Sequence, residues 1–156
     1  MTAETKTIPT PWAAYSEGVP LHLDYPDCAM VDLVEKSAAE TPDVLAYTFY
    51  TTKVNYKTFL EEIRQCAKSL AAMGIKPGDK VTICMPNAPQ AVVMFYALNY
   101  MGAIANMVHP LSAQEEIAFY LKESGSVAAL TLRQFYPKFQ AIRSKLTIDK
   151  DRKSVV

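Results

Sequence analysis

A chain of 156 residues, half of them apolar, is long enough for one compact domain with a real core. Its sixteen basic and sixteen acidic residues cancel, which argues against nucleic acid or an acidic membrane surface as a partner. Cys28, Cys66 and Cys84 are odd in number, widely spaced and form no CxxC pair, so they read as reduced, mostly buried thiols and not as a disulfide frame or a zinc site.

The start, "MTAETKTIPTPW", is polar and has no basic region followed by an apolar core, so no signal peptide is read there and the expected location is cytoplasmic. Residues 1–26 show no periodicity and contain Pro9, Pro11, Pro20 and Pro26, which predicts an extended arm. An α/β unit is expected over 27–156. Met30, Leu33, Val34, Ser37 and Ala38 fall at helical spacing, with Asp27 or Cys28 near the start and Pro42 beyond the end. "VLAYTFY" (44–50) is a strand pattern, and "TTKV" offers a short return strand.

Phe59, Ile63, Cys66, Ala67, Leu70 and Met73 make one stripe of a helix over 56–73, with Asn55 as N-cap and Gly74 at the C′ position. "KPGD" turns the chain into the strand "KVTICM" (80–85), which places Val81, Ile83 and Met85 on one face. Residues 91–108 are nearly all apolar and just reach the length of a membrane span, but Asn99, Gly102 and Asn106 interrupt them. They divide instead into a buried helix (88–101), capped by Asn87 with Pro89 and Gln90 in its first turn, and a buried parallel strand (104–108). No transmembrane segment is expected.

"SAQE" (112–115) has capping-box spacing with Ser112 as cap, and opens a helix that holds Ile117, Tyr120 and Leu121 and stops at Gly125. The strand "VAALTL" follows. Phe135, Phe139, Ile142 and Leu146 mark a last helix whose basic face after residue 133 reads as solvated. Helices alternating with strands through short turns predict a mostly parallel sheet with helices on both faces. In such sheets ligands bind beyond the carboxyl ends of the strands, where His109 and Pro110 fall.

Catalytic vocabulary is thin. Glycines 18, 74, 78, 102 and 125 cannot spell GxGxxG or a phosphate-binding P-loop, and HExxH, GxSxG and DxDxG are absent. His22 and His109 have no Ser or Cys partner by spacing and read as surface or packing residues. No residue is assigned a catalytic, cofactor-binding or metal-ligating role.

Three segments carry more. "VNYKTF" (54–59), "GIKPGDKVTICMPNAPQ" (74–90) and "LNYMGAIANMVHPLSAQEEI" (98–117) occur in the order found in the N-terminal region of adenylate-forming enzymes, the acyl-CoA synthetases, aryl-CoA ligases and peptide-synthetase adenylation domains, which the chain resembles. The first usually reads Ser/Thr-Tyr-x-Glu-Leu; here Asn55 keeps the cap and Thr58 replaces the Glu. Coenzyme A ligases often carry Asn where His109 stands. The leader "PWAAYSEGVPLHLDYPDCAMVDLVEKSA" is similar to that of bacterial fatty acyl-CoA ligases, and the resemblance extends over about residues 11–148.

That resemblance implies activation of a carboxylic acid, here a fatty acid, by ATP to an acyl-adenylate, followed by transfer to coenzyme A. It also implies Mg²⁺, a Ser/Thr/Gly-rich phosphate loop, an acidic ribose-binding residue and a lysine from a mobile C-terminal domain. None of those motifs occurs in these 156 residues, and "KSVV" reads as the start of a further strand. The expectation is therefore an N-terminal piece of a longer ligase, inactive and without bound cofactor by itself, and prone to self-association. Aryl or aminoacyl activation, a flavodoxin-like module holding a nucleotide or flavin, and an interaction protein using helix 88–101 as a dimer face remain as alternatives.

Overall fold

The structure is a computed structural model that describes residues 18–20 and 23–146. The arm expected over 1–26 is described only at 18–20 and 23–26, which are exposed and have no helix or strand; His22 and the "KSVV" segment lie outside the described residues.

Helix α1, Met30–Glu40, buries Val31 and Val34. Ala29 is its N-cap, with Asp27 and Cys28 just ahead of it as expected, and the Asp32 carboxylate accepts the Ala29 N–H at 2.8 Å and so sets the first turn. Cys28 is exposed, contrary to the expectation of buried thiols; Cys66 is half-buried and Cys84 buried. Strands β1, Leu45–Phe49, and β2, Thr52–Asn55, pair antiparallel as a separate hairpin. Helix α2, Tyr56–Ala72, is capped as expected, with Asn55 Oδ1 accepting the Thr58 N–H at 2.9 Å. Gly74, just past the end, has φ +84°, the left-handed conformation that a C′ residue needs.

The main sheet is parallel, in the order β4-β3-β5, from β3 (Lys80–Cys84), β4 (Ile104–Met107) and β5 (Ala128–Thr131). Val81 lies opposite Ala105 on one side and Ala128 on the other. Alternation of the central strand serves two cores. Val81, Ile83 and Met85 join Phe59, Ile63 and Leu70 of α2 and Met94 and Leu98 of helix α3 (Pro89–Tyr100). On the opposite face Cys84 joins Ile117 and Leu121 of helix α4 (Gln114–Ser124) and Ile142 of helix α5 (Tyr136–Ile142). Helices thus cover both faces, as the alternation predicts.

The remaining differences have local causes. Pro89 occupies the first turn of α3 and holds the preceding residue extended, so Ala88, not Asn87, is the cap, and no side chain caps that end. Ala113 replaces Ser112 as the cap of α4, because Ser112 belongs to a turn in which its N–H donates to the His109 carbonyl at 3.1 Å. Helix α3 is not buried all round, since Val92 and Tyr100 are exposed. Strand β4 is parallel but, among the described residues, forms an edge, which leaves Ile104 and Met107 about half exposed, at 51% and 57%. The last helix is broken: short 3₁₀ turns at Arg133–Phe135 and Arg143–Lys145 flank α5, whose first turn carries Pro137.

Both asparagines that interrupt the apolar run have partners. Asn99 Oδ1 accepts the Val31 N–H at 2.8 Å, satisfying one of the donors left free at the start of α1. Asn106 Nδ2 donates to Thr82 Oγ1 at 2.9 Å and Ser124 Oγ at 3.1 Å, and Ser126 bridges these two hydroxyls at 2.8 Å each. Among the described residues no helix is long and apolar enough to cross a membrane.

Candidate functional site

The carboxyl ends of β3, β4 and β5 meet at Cys84, Val108–Pro110 and Thr131, where a parallel sheet places its ligand. Hydrogen bonds tie these ends together. Val108 N–H donates to the Ile83 carbonyl at 3.0 Å, Thr131 Oγ1 donates to the Cys84 carbonyl at 3.0 Å, and Cys84 Sγ donates to the His109 carbonyl at 3.9 Å. Pro110, next in the chain, is buried and has no N–H with which to extend the ladder.

His109 is exposed, yet its Nδ1 accepts the Leu111 N–H at 3.3 Å, so this nitrogen is engaged by its own turn. The structure gives the imidazole a turn-forming partner and no Ser, Cys or carboxylate partner among the described residues. Lys138 is the residue the sequence missed. Its charge reads as part of a solvated basic face, but its ammonium is half-buried, donates to the carbonyls of Pro110 at 3.0 Å and Ser112 at 2.7 Å, and lies 5.9 Å from the Phe135 ring centre. The only sequence signal was a lysine one position before Phe139 of the apolar stripe, which is too weak to predict the contact.

The cleft end is therefore built from backbone carbonyls held by a lysine, not from N–H groups turned outward. Burial pushes the Cys84 thiol above its ordinary range, with the nearby Lys138 charge opposing this, and burial also raises Cys66. Both are held as protonated thiols, unlike the activated thiolates of nucleophilic sites. The turn into α3 has no glycine, and Pro89 removes one N–H from its first turn. These residues do not fit the phosphates of ATP, and among the described residues no group of three or more His, Cys, Asp or Glu could hold a metal ion.

A second concavity lies away from the strand ends. It has a volume of about 420 Å³ and runs between α2, α3 and the face of β5, walled by Leu70, Met73, Val81, Val93, Met94 and Leu130. Tyr47 and Glu62 stand on its rim, where the phenol donates to Glu62 Oε2 at 3.0 Å. Burial, and then this bond to a carboxylate, push the Tyr47 hydroxyl up to about 12.

Comparison with known proteins agrees with the fold. Residues 34–156 match the family model described as AMP-binding enzyme. A long-chain-fatty-acid–CoA ligase of Bacillus subtilis is 29% identical over 140 residues, 89% of this chain and 25% of that protein. A linear gramicidin synthase of Brevibacillus parabrevis is also 29% identical, over 118 residues, 75% of this chain and 2% of that protein. Among solved structures, the N-terminal domain of FACL13 from Mycobacterium tuberculosis superposes with a TM-score of 0.72 at 28% identity, covering 75% of this chain and 30% of that one. The chain spans about a quarter of the length of the Bacillus ligase.

Proposed function

The chain belongs to the AMP-binding enzyme family, and on that premise we propose that it forms the N-terminal part of a fatty acid–CoA ligase. The enzyme activates the acid with ATP and Mg²⁺ to an acyl-adenylate and pyrophosphate, then passes the acyl group to coenzyme A in the cytoplasm. One observation carries the choice of acid: similarity to the Bacillus ligase extends over 89% of the chain, beyond the span shared with the gramicidin synthase. In this reading residues 1–26 are an arm on the subdomain 27–156.

The role of these residues is architectural. Cys84, Thr131 and Lys138 fix the strand ends and the His109–Ser112 turn, while the groups that stabilise transferring phosphates come from elsewhere in the enzyme. Acid-dependent exchange of pyrophosphate into ATP by the full-length enzyme tests the assignment. Fatty acids should drive exchange more strongly than aromatic acids or amino acids, and the reverse order would move the protein to the aryl- or aminoacyl-activating branch. The 156-residue chain alone should give no exchange with any acid. Alone it should also self-associate through its β4 edge, where Ile104 and Met107 are exposed beside backbone that has no strand partner among the described residues; sedimentation equilibrium showing only monomer would remove that part of the proposal.

A further inference from the structure

A lysine ammonium is strongly hydrated and ordinarily stays in water, so a half-buried one given over to backbone carbonyls calls for a reason. Lys138 lies on α5, which follows β5, and donates to the carbonyls of Pro110 at 3.0 Å and Ser112 at 2.7 Å, in the connection that follows β4. Strand β3 lies between β4 and β5, so this one side chain links the connections on either side of the central strand. Its charge is felt at Cys84, the last residue of β3, where it opposes the effect of burial on the thiol. The placement is unfavourable in two respects. The ammonium stands beside the first turn of α4, where the helix dipole favours anions, and a held lysine loses rotamer freedom.

The contacts themselves are those of a small free cation. Both bonded oxygens are neutral backbone carbonyls, and the Phe135 ring centre lies 5.9 Å from the ammonium nitrogen. What the cation holds is a turn made of short internal bonds: the Ser112 N–H donates to the His109 carbonyl at 3.1 Å, and the Leu111 N–H donates to His109 Nδ1 at 3.3 Å. The second bond requires the neutral imidazole with its proton on Nε2. An exposed N–H donor is thereby fixed at the strand ends, where a parallel sheet meets its ligand.

We propose that Lys138 is a positioning residue: its ammonium fills a monovalent-cation site formed by the Pro110 and Ser112 carbonyls and the Phe135 ring, and so holds the His109–Ser112 turn in the shape that meets a substrate. The site selects for N–H donors that can point at two carbonyls at once, which a primary ammonium does and a bare or fully alkylated cation does not. Lys138 touches no reacting group in this role. It acts through the turn, and the part that concerns substrate rests on the ligase reading above.

The turn reports on itself through two amides. Hydrogen exchange followed by NMR on the 156-residue chain should find Leu111 and Ser112 protected. In Lys138→Met, which keeps the aliphatic stem, both should exchange at least about tenfold faster, while Val108 and Val127, bonded to β3 carbonyls, keep their protection. In Lys138→Ala, ammonium or methylammonium chloride should restore the protection of Leu111 and Ser112, and sodium or tetramethylammonium chloride at equal ionic strength should not. In the full-length enzyme Lys138→Met should raise the KM of at least one of acid, ATP and coenzyme A about tenfold and change kcat by less than about twofold. The exchange measurements need no activity, so they stand even if fatty acids fail to drive pyrophosphate exchange and the ligase reading falls. Unprotected Leu111 and Ser112 in the parent, or equal protection in Lys138→Met, would overturn the proposal. Loss of all four amides would do so as well, by making Lys138 a support of the whole fold, and so would rescue that is absent or is matched by sodium. A fall in kcat with KM unchanged, or no change in either, would overturn the positioning role.

Discussion

The two faces of the central sheet are built on different principles. On the α2–α3 face, Val81, Ile83 and Met85 meet a continuous apolar layer of Phe59, Ile63, Leu70, Met94 and Leu98. On the α4–α5 face the same strand offers Thr82 and Cys84. Its smaller apolar cluster adjoins a closed set of hydroxyls and one amide, Thr82, Ser124, Ser126 and Asn106. No side-chain polar atom buried among the described residues lacks a partner, so the polar set is complete. Burial of area on one face is non-directional and tolerates approximation, whereas satisfaction of polar groups on the other is all-or-none.

The comparison can be broken first on its apolar side. Ile63 is fully buried, and Ile63→Ala should cost on the order of 2–5 kcal/mol in urea unfolding. Leu70→Ala should fall toward the lower end of that range, because Leu70 already borders the groove. A midpoint unchanged in both would mean that the α2 stripe does not carry the core.

On the polar side Thr82→Val keeps the volume but removes the hydroxyl shared by Asn106 and Ser126, and should cost about 1–3 kcal/mol by leaving one Asn106 N–H without an acceptor and Ser126 with Ser124 alone. If the valine variant were as stable as the parent, the network would be incidental to the fold and the distinction between the faces would fail.

Two candidate caps sharpen the same point at smaller scale. Asn55→Ala should lose about 1 kcal/mol, since its side chain accepts the Thr58 N–H. Ser112→Ala should change stability by less than about 0.5 kcal/mol, because Ala113 is the cap there. Thermal melts of the two variants side by side give the comparison, and equal losses would restore Ser112 as a cap.

The last effect is confined to alkaline solution. Tyr47 has its hydroxyl raised from 10 to about 12, so between those values the folded chain holds a proton that the unfolded chain has lost. The contribution is fully present below pH 10 and disappears as pH rises through about 12. Unfolding midpoints should therefore fall more steeply with pH over that window than in Tyr47→Phe; parallel curves would show that neither burial nor the bond to Glu62 shifts the phenol.

Regular elements with strong local signals were readable without the structure. The stripe from Phe59 to Leu70, the Asn55 cap and the alternation of Val81 and Ile83 depend on residues within one or two turns of each other, where period and capping chemistry act directly. The caps at Asn87 and Ser112 failed for an equally local reason: spacing identifies a candidate, but Pro89 and the His109 turn decide which residue is extended at the helix start. The cleft end was not readable. Lys138 reaches carbonyls 26 and 28 positions away, and Asn99 reaches an N–H 68 positions away.

Order in space marks the boundary. By itself the sequence determined which segments are helices and strands, the parallel α/β class, and the likeness of three ordered segments to adenylate-forming enzymes, because periodicity, turn residues and motif order are properties of neighbours along the chain. Only the tertiary structure decided that β3 lies between β4 and β5, that β4 has no further neighbour among the described residues, and therefore that Ile104 and Met107 are exposed though their strand looks buried. The physical reason is that an apolar side chain favours burial wherever it lies, but strand order decides whether a neighbour is there to bury it.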